Sequence, residues 1–414
     1  MLPLRWLYLD LNSYFASVEQ QMEPRLRGLP VAVVPMVTDS TCAIAASYEA
    51  KALGIKTGTR IWEAKKLCPE LICVPARHDA YVDYHHRILN EVENHIHISK
   101  VASIDEVACK LMDNENSPEV ATKIAVGIKA GISKNVGEYL KSSIGIAPNK
   151  YLAKVATELQ KPNGLVVLKD NEIESRLCTL KLRDLPGVGY NMEQRLNRAG
   201  IMDIKTLLKY SPKHMRAIWH SVWGEKMYYF LRGIDLPDTE TNRNTVGHSH
   251  VIAPENRAPD KAEHIARRLT VKAVSRLRRL GFYAQAYALS VRTETNHRWA
   301  AEAKCYRAQD NAAFIRMLDA LWQAMLKDSK GQRLKKVSVT LYHFIHENDI
   351  QPELFDQPNS GQSRADKLSK VLDSLNKKYG RDTVSLGIIP DQARKISGTK
   401  IAFTRIPDIQ EFVE

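Results

Sequence analysis

The chain has 414 residues, 44% of them hydrophobic, which is long for one ordinary domain and enough for sizeable cores. Its 60 Lys+Arg against 47 Asp+Glu give a formal charge of +13, which favours a polyanionic partner, nucleic acid before membrane. No run approaches the roughly 18 apolar residues of a membrane span, and the opening "MLPLRWLYLDLN" is too short and too acidic for a signal peptide. Cys42, Cys68, Cys73, Cys109, Cys178 and Cys305 show no CxxC spacing and no clustering with His. That excludes an obvious zinc site or disulfide framework and fits a reduced, cytoplasmic protein.

In chain order, residues 4–10 and 30–35 read as short buried strands. The segment between them has helical spacing, with Phe15, Val18 and Met22 on one face. "TCAIAA" continues as a strand, "SYEAKALG" as a helix stopped by Gly54, and "TRIWEAKKLCPEL" as a helix closed by Pro69. "VENHIHISKVASIDEVACKLMD" reads as an antiparallel pair turning near Ile104-Asp105-Glu106. An amphipathic helix from Ser117 follows, then a strand, turn and helix over "SSIGIAPNKYLAKVATELQKPNG". Residues 168–235 form a second, short and helical unit. "PDTETNRNTVGHSH" reads as a polar link. Residues 246–346 are predicted as helix 259–281, strands 284–293 and 298–306, helix 309–327 and strand 334–345. "ENDIQPELFDQPNSGQSR" reads as a flexible linker, before a helix "ADKLSKVLDSLNKKYG" and a β-like "KIAFTRI".

Asp10 ends the first apolar strand, and Asp105-Glu106 follow another. An acid pair alone is usually a solvated surface. If the two strands are neighbours, however, the acids form a self-repelling cluster that calls for cations. An all-oxygen donor set with an open coordination shell suits Mg²⁺. Two such ions, about 4 Å apart, form the clamp for in-line phosphoryl or nucleotidyl transfer. Polymerases, nucleases and cyclases share that clamp.

Tyr48 and Lys51 in "SYEAK" share a helical face, where a phenol and an ammonium suit a triphosphate or simply solvent. Lys161 in "KPNG" is either a favourable helix C-terminal charge or another phosphate cation. "LPGVGYNMEQRLNRAGI" fits a helix–hairpin–helix, whose Gly187 and Gly189 let backbone N–H groups approach a DNA phosphate. Arg268, Lys272, Arg276 and Arg279 lie at i, i+4, i+8 and i+11, a basic stripe able to follow a phosphate backbone.

Five ordered segments, "YLDLNSYFASVEQ", "SYEAKALGIKTG", "VASIDE", "SIGIAPNKYLAKVATELQKPNG" and "LPGVG", resemble the bacterial Y-family translesion DNA polymerases of the polymerase IV and V group. The resemblance covers residues 5–235 closely and 245–345 more loosely. It implies an α/β (α+β) right-hand polymerase with a ferredoxin-like palm, small fingers, a helical thumb with a helix–hairpin–helix, and a little finger domain. The implied boundaries are palm 1–10 and 78–167, fingers 11–77, thumb 168–235, linker 236–245, little finger 246–346 and tail 347–414. By motif, Asp10, Asp105 and Glu106 resemble the catalytic metal carboxylates, with the Leu11 carbonyl a further ligand of two Mg²⁺. Tyr48, Lys51 and Lys161 resemble the triphosphate contacts. Phe15 resembles the steric gate against a ribose 2′-OH, with Tyr14 as support beside it.

There are departures. Lys51 stands where the family more often has Arg, so a bidentate fork becomes a point charge. "EVACKL" replaces the commoner "EAYLD", and places Lys110 either near the metal site or in solvent. "QPELF", with Gln351, Leu354 and Phe355, resembles a sliding-clamp docking motif. The final segment is similar to the tail of the polymerase V catalytic subunit. The expectation is a monomeric, DNA-directed, error-prone translesion polymerase that binds primer–template DNA and dNTP in DNA repair. The clamp is its expected partner, and an accessory subunit or a recombinase are further candidates. The alternatives are a non-catalytic DNA-binding scaffold at the clamp and a two-metal nuclease.

Overall fold

The structure, a computed structural model, describes residues 2–238, 244–350, 361–380 and 383–384, with backbone only for 361–363. They fall into two compact units, one within 2–238 and one within 244–384.

In unit one, β1 (Trp6–Leu11) turns at once into α1 (Tyr14–Met22). β2 (Val31–Val34), β3 (Ala45–Ala46), α2 (Tyr48–Ala52), α3 (Ile61–Leu67) and β4 (Ile72–Pro75) follow. Next come α4 (His78–Glu93), β5 (Lys100–Val101), β6 (Glu106–Lys110) and α5 (Pro118–Gly131). Then come β7 (Ser142–Ala147), α6 (Lys150–Leu159) and β8 (Leu165–Val167). The unit closes with α7 (Ile173–Leu177), α8 (Tyr190–Arg198), α9 (Ile204–Leu207), α10 (Pro212–Trp219) and α11 (Val222–Phe230).

A five-stranded sheet of order β5-β6-β1-β7-β8 carries β1 antiparallel between β6 and β7. α6 rests directly on it, because Gly145 of β7 has no side chain: a Cβ there would stand 2.1 Å from the Ala153 carbonyl oxygen. Asn149 caps α6 by accepting from Leu152 N–H, and its amide donates to the Phe230 and Ile234 carbonyls. One core therefore runs from Tyr8 and Leu152 into Leu185, Leu196, Ile201 and Met227 of the short helices. A separate three-stranded sheet, β3-β2-β4, has a small core of Ala32, Ala43, Ala46, Ala50, Ala64, Val34, Ile55 and Ile61. Side chains this small support only a small lobe.

Unit two is β9 (Thr245–Val251), α12 (Pro259–Arg279), β10 (Phe282–Thr293), β11 (Arg298–Ala308), α13 (Asn311–Ser329) and β12 (Leu334–His346), then α14 (Gly361–Tyr379). Its antiparallel sheet has the order β11-β10-β12-β9. α12 and α13 cover one face, around Tyr287, Phe314, Trp322 and Leu341.

Four expectations are corrected. Met22 is 38% exposed, so α1 buries Phe15 and Val18 without it. "TCAIAA" contributes only Ala45–Ala46 to a strand. The sequence reading gave residues 72–91 no element and took Val92 as strand, yet Tyr81, Val82, His85, Ile88 and Val92 are the buried face of α4. Its three histidines and scattered acids hide the helical period. "TVGHSHV", read as part of a polar link, is edge strand β9: Val246 is buried, and β12 supplies its hydrogen bonds.

Candidate active site

Antiparallel pairing sets Asp10 directly opposite Glu106, and the Leu11 N–H donates to the Asp105 carbonyl at 2.9 Å. The two acidic strand ends thus lie side by side, as the chemistry required. His85 fixes the turn before them: its Nδ1–H donates to the Ile104 carbonyl at 2.8 Å. Burial holds that ring neutral, with its pKa pushed down to about 4. Ser103 Oγ donates to Asp105 Oδ1 at 2.5 Å. Even so, burial and then the Asp10 charge raise the Asp105 carboxyl above its ordinary range.

These groups line a cavity of about 280 Å³ whose walls also carry Leu11, Tyr14, Phe15, Lys51, Lys154 and Lys161. The left-handed backbone at Ser13, φ 50°, turns strand into helix and brings Phe15 five residues after Asp10. The Phe15 ring stacks on Tyr81, with centroids 4.4 Å apart and planes at 18°. Tyr81 is held in turn: its hydroxyl donates to Glu19 Oε1 at 2.7 Å, and Arg77 pairs with Glu19. Tyr14 donates to the Tyr81 carbonyl at 2.6 Å, so it is support beside the ring.

Tyr48 does not line the cavity. Its ring lies 4.6 Å from Lys51 Nζ. Burial, then the Asp10 and Glu158 charges, pushes the Tyr48 hydroxyl up to about 12. Burial and then Lys161 lower the Lys51 ammonium. Lys161 pairs with Asp10 at 2.9 Å and with Glu158 at 2.7 Å. Its loop is tied to the strand turn by Asn12, which accepts from Asn163 N–H at 2.7 Å. Lys110 is not part of this site. It lies four residues along β6 from Glu106, about 13 Å by strand rise, and faces the Trp6 ring.

Sequence reasoning missed Lys154, whose Nζ bridges Asp10 and Glu106. It also missed Tyr8, which donates to Glu106 Oε2 at 2.6 Å. The pattern "APNKYLAK" held a clue: Lys154 points the way of Tyr151 and Glu158, one helical turn away on either side.

Gly187, φ +88°, occupies backbone that other residues adopt only with strain, and Trp223 Nε1 would stand 3.2 Å from any Cβ there. Gly189 precedes the first turn of α8 with open space beside it. Val188, Leu196 and Ile201 are buried, as a helix–hairpin–helix requires. In unit two, Arg268, Lys272, Arg276 and Arg279 do form one stripe along α12, with Lys272 and Arg279 exposed and the other two half-buried. The opposite sheet face presents Gly247, Ser249, Ser290, Ser338 and Thr340, with Arg292, Arg298 and Lys336 at one end. The clamp-like residues Gln351, Leu354 and Phe355 lie outside the described residues.

As oriented here, no three acidic or imidazole groups among the described residues are poised to share one ion. The donor set nonetheless fits a hard divalent cation: carboxylates and a backbone carbonyl at strand ends, on an open cavity. Acids at adjacent strand ends, cations around one cavity and an aromatic floor are groups that a nucleotidyl-transferring enzyme can use.

The comparisons with known proteins agree. The impB/mucB/samB family matches residues 9–158 and its C-terminal domain residues 243–354, while the DNA polymerase-iota thumb domain matches 183–235. The DNA polymerase IV of Moorella thermoacetica is 30% identical over 91% of this chain and 94% of its own. That of Bacillus velezensis is 27% identical over 95% of each. Among solved structures, a Y-family DNA polymerase chimera of Dbh and Dpo4 is 25% identical, with TM-score 0.70 over 83% of this chain and 99% of its own. The chain belongs to the Y family of DNA polymerases, of DNA polymerase IV type, and is a DNA-directed translesion DNA polymerase. Its fold is the right hand of that family, and divalent-metal use is general to it.

Proposed function

We propose that Asp10, Asp105, Glu106 and the Leu11 carbonyl hold two Mg²⁺ ions, and that the cavity receives a dNTP opposite a DNA template. When bound, the metals would supply a lowered pKa for the primer 3′-OH and neutralisation of the triphosphate. Lys51 and Lys161, with Tyr48 beneath Lys51, hold the triphosphate tail by charge and hydrogen bond. Phe15, fixed by Tyr81, lies under the sugar and rejects a 2′-OH by clash. A solved relative described as an insertion ternary complex of Dbh DNA polymerase, 25% identical with TM-score 0.55, supports a primer–template and nucleotide complex.

On this reading the palm is the five-stranded sheet, the fingers the small alanine-rich sheet and the thumb the short helices. Gly187 and Gly189 present backbone N–H groups to a phosphate. In the little finger, two surfaces suit a DNA backbone: the α12 stripe and the open sheet face. The small residues of the open face admit close approach, and its cations are placed to neutralise phosphates. Residues 351–355 are the proposed clamp contact. A non-catalytic scaffold would have no use for acids, cations and an aromatic floor gathered on one cavity.

The observation that carries this reading is Asp10 paired opposite Glu106 with Asp105 beside them. Primer extension with purified chain and Mg²⁺ tests it. Asp105→Asn is expected to lower the rate by roughly a thousandfold. Extension at the wild-type rate would remove Asp105 from the site.

A further inference from the structure

Both oxygens of Asp10 are already engaged. Lys154 donates to Oδ2 and Lys161 to Oδ1, the latter at 2.9 Å. Both oxygens of Glu106 are engaged as well, Oε1 by Lys154 and Oε2 by the Tyr8 hydroxyl, each at 2.6 Å. Glu158 lies 3.6 Å from the same ammonium. Lys154 is only 17% exposed at its side chain, and its Nζ stands 5.4 Å from the centre of the Tyr8 ring. With the acids held this way, no three carboxylate, imidazole or thiol groups among the described residues are placed to share one ion.

A divalent cation held by Asp10 and Glu106 would need their carboxylate oxygens, and the ammonium already engages one oxygen of each. The backbone cannot carry Lys154 aside. α6 sits on β7 through Gly145, where even a Cβ would meet Ala153 O at 2.1 Å and Thr157 N at 2.8 Å. Only the flexible side chain can leave.

We propose that Lys154, which bridges Asp10 and Glu106, competes with a divalent cation for their oxygens, so that binding a metal there displaces its ammonium. The incoming triphosphate supplies both new oxygens for the metal and a new anion for the displaced ammonium. Metal loading is therefore weak in the free chain and linked to nucleotide binding through this residue. The proposal rests on the metal reading above and goes beyond it by making Lys154 a positioning residue for that metal.

The test measures Mn²⁺ binding by the electron-paramagnetic signal of free Mn²⁺, on the full chain without DNA, with and without a non-hydrolysable dNTP. Lys154→Met is expected to bind Mn²⁺ roughly tenfold more tightly than wild type without nucleotide, and to gain less from adding it. Lys154→Arg, which keeps the charge, is expected to behave as wild type. If Lys154→Met folds poorly, Lys154→Gln takes its place and should shift affinity in the same direction. Unchanged or weaker Mn²⁺ binding in the charge-removing variants overturns the proposal and leaves Lys154 a structural ion pair. Asp105→Asn separates the two failures: if it leaves Mn²⁺ binding intact, the carboxylate reading falls first.

Discussion

Phe15 owes its place to three neighbours. Ser13 turns the chain so that the helix begins almost at the strand end that carries Asp10, and Val18 anchors that helix in the core. Tyr81 then stacks flat on the ring, and Glu19 with Arg77 holds Tyr81. A ring stacked face-on against Tyr81 cannot swing aside without breaking that contact. Phe15→Ala is therefore expected to relax dNTP-over-rNTP selectivity by about tenfold or more, because a clash is a repulsive element and its removal costs only packing. Single-nucleotide insertion kinetics with dCTP and rCTP would measure it. Unchanged selectivity would mean that another group rejects the ribose.

Among the elements, α14 is the least expected. The sequence offered a helix there without a role. In the structure it packs against α12 and α13 with Leu372 buried, and Ser369 Oγ accepts from Asn311 N–H at 3.1 Å. Arg278 fixes the joint: its side chain is 3% exposed and pairs with both oxygens of Asp373, at 2.7 and 2.8 Å. The same guanidinium donates to the Gln309 carbonyl and to Asn311 Oδ1. Removing it strands Asp373 and two acceptors, so Arg278→Met should cost about 3 kcal/mol of unit-two stability. Urea unfolding of the purified chain would show this as a lower midpoint. A midpoint equal to wild type would mean that apolar packing alone docks α14.

For the whole molecule, the charge of +13 sets the terms of DNA binding. Affinity should fall by about a thousandfold between 50 and 200 mM salt if roughly six phosphates are contacted. Lys336→Gln, on the open sheet face, should reduce the slope of log affinity against log salt by about one. Lys272→Gln makes the same measurement on the α12 stripe. Titration of labelled primer–template at several salt concentrations gives both. A slope that neither variant changes would leave unit two outside the DNA interface. No helix among the described residues is long and apolar enough to cross a membrane.

Much of this was legible in the linear chain, because local chemistry is written locally. Short apolar runs marked β1 and β7, helical spacing marked α6 and α12, and strand-end acids marked Asp10 and Asp105-Glu106 as worth a cation. The LPGVG segment marked a helix–hairpin–helix, and the ordered motifs implied the family. The chain could not tell that β1 and β6 pair in register, because that pairing joins residues about a hundred positions apart and depends on which faces find a common core. Nor could it reveal α4, whose buried stripe is diluted by His and Asp, or β9, which is a strand only because β12 lends it hydrogen bonds. Lys110 follows the acid pair by four residues while Lys154 lies far from any acid motif in sequence, yet it is Lys154 that reaches the carboxylates. Strand geometry sends one to Trp6 at the far end of β6, and the close seat of α6 on Gly145 sends the other between the two carboxylates.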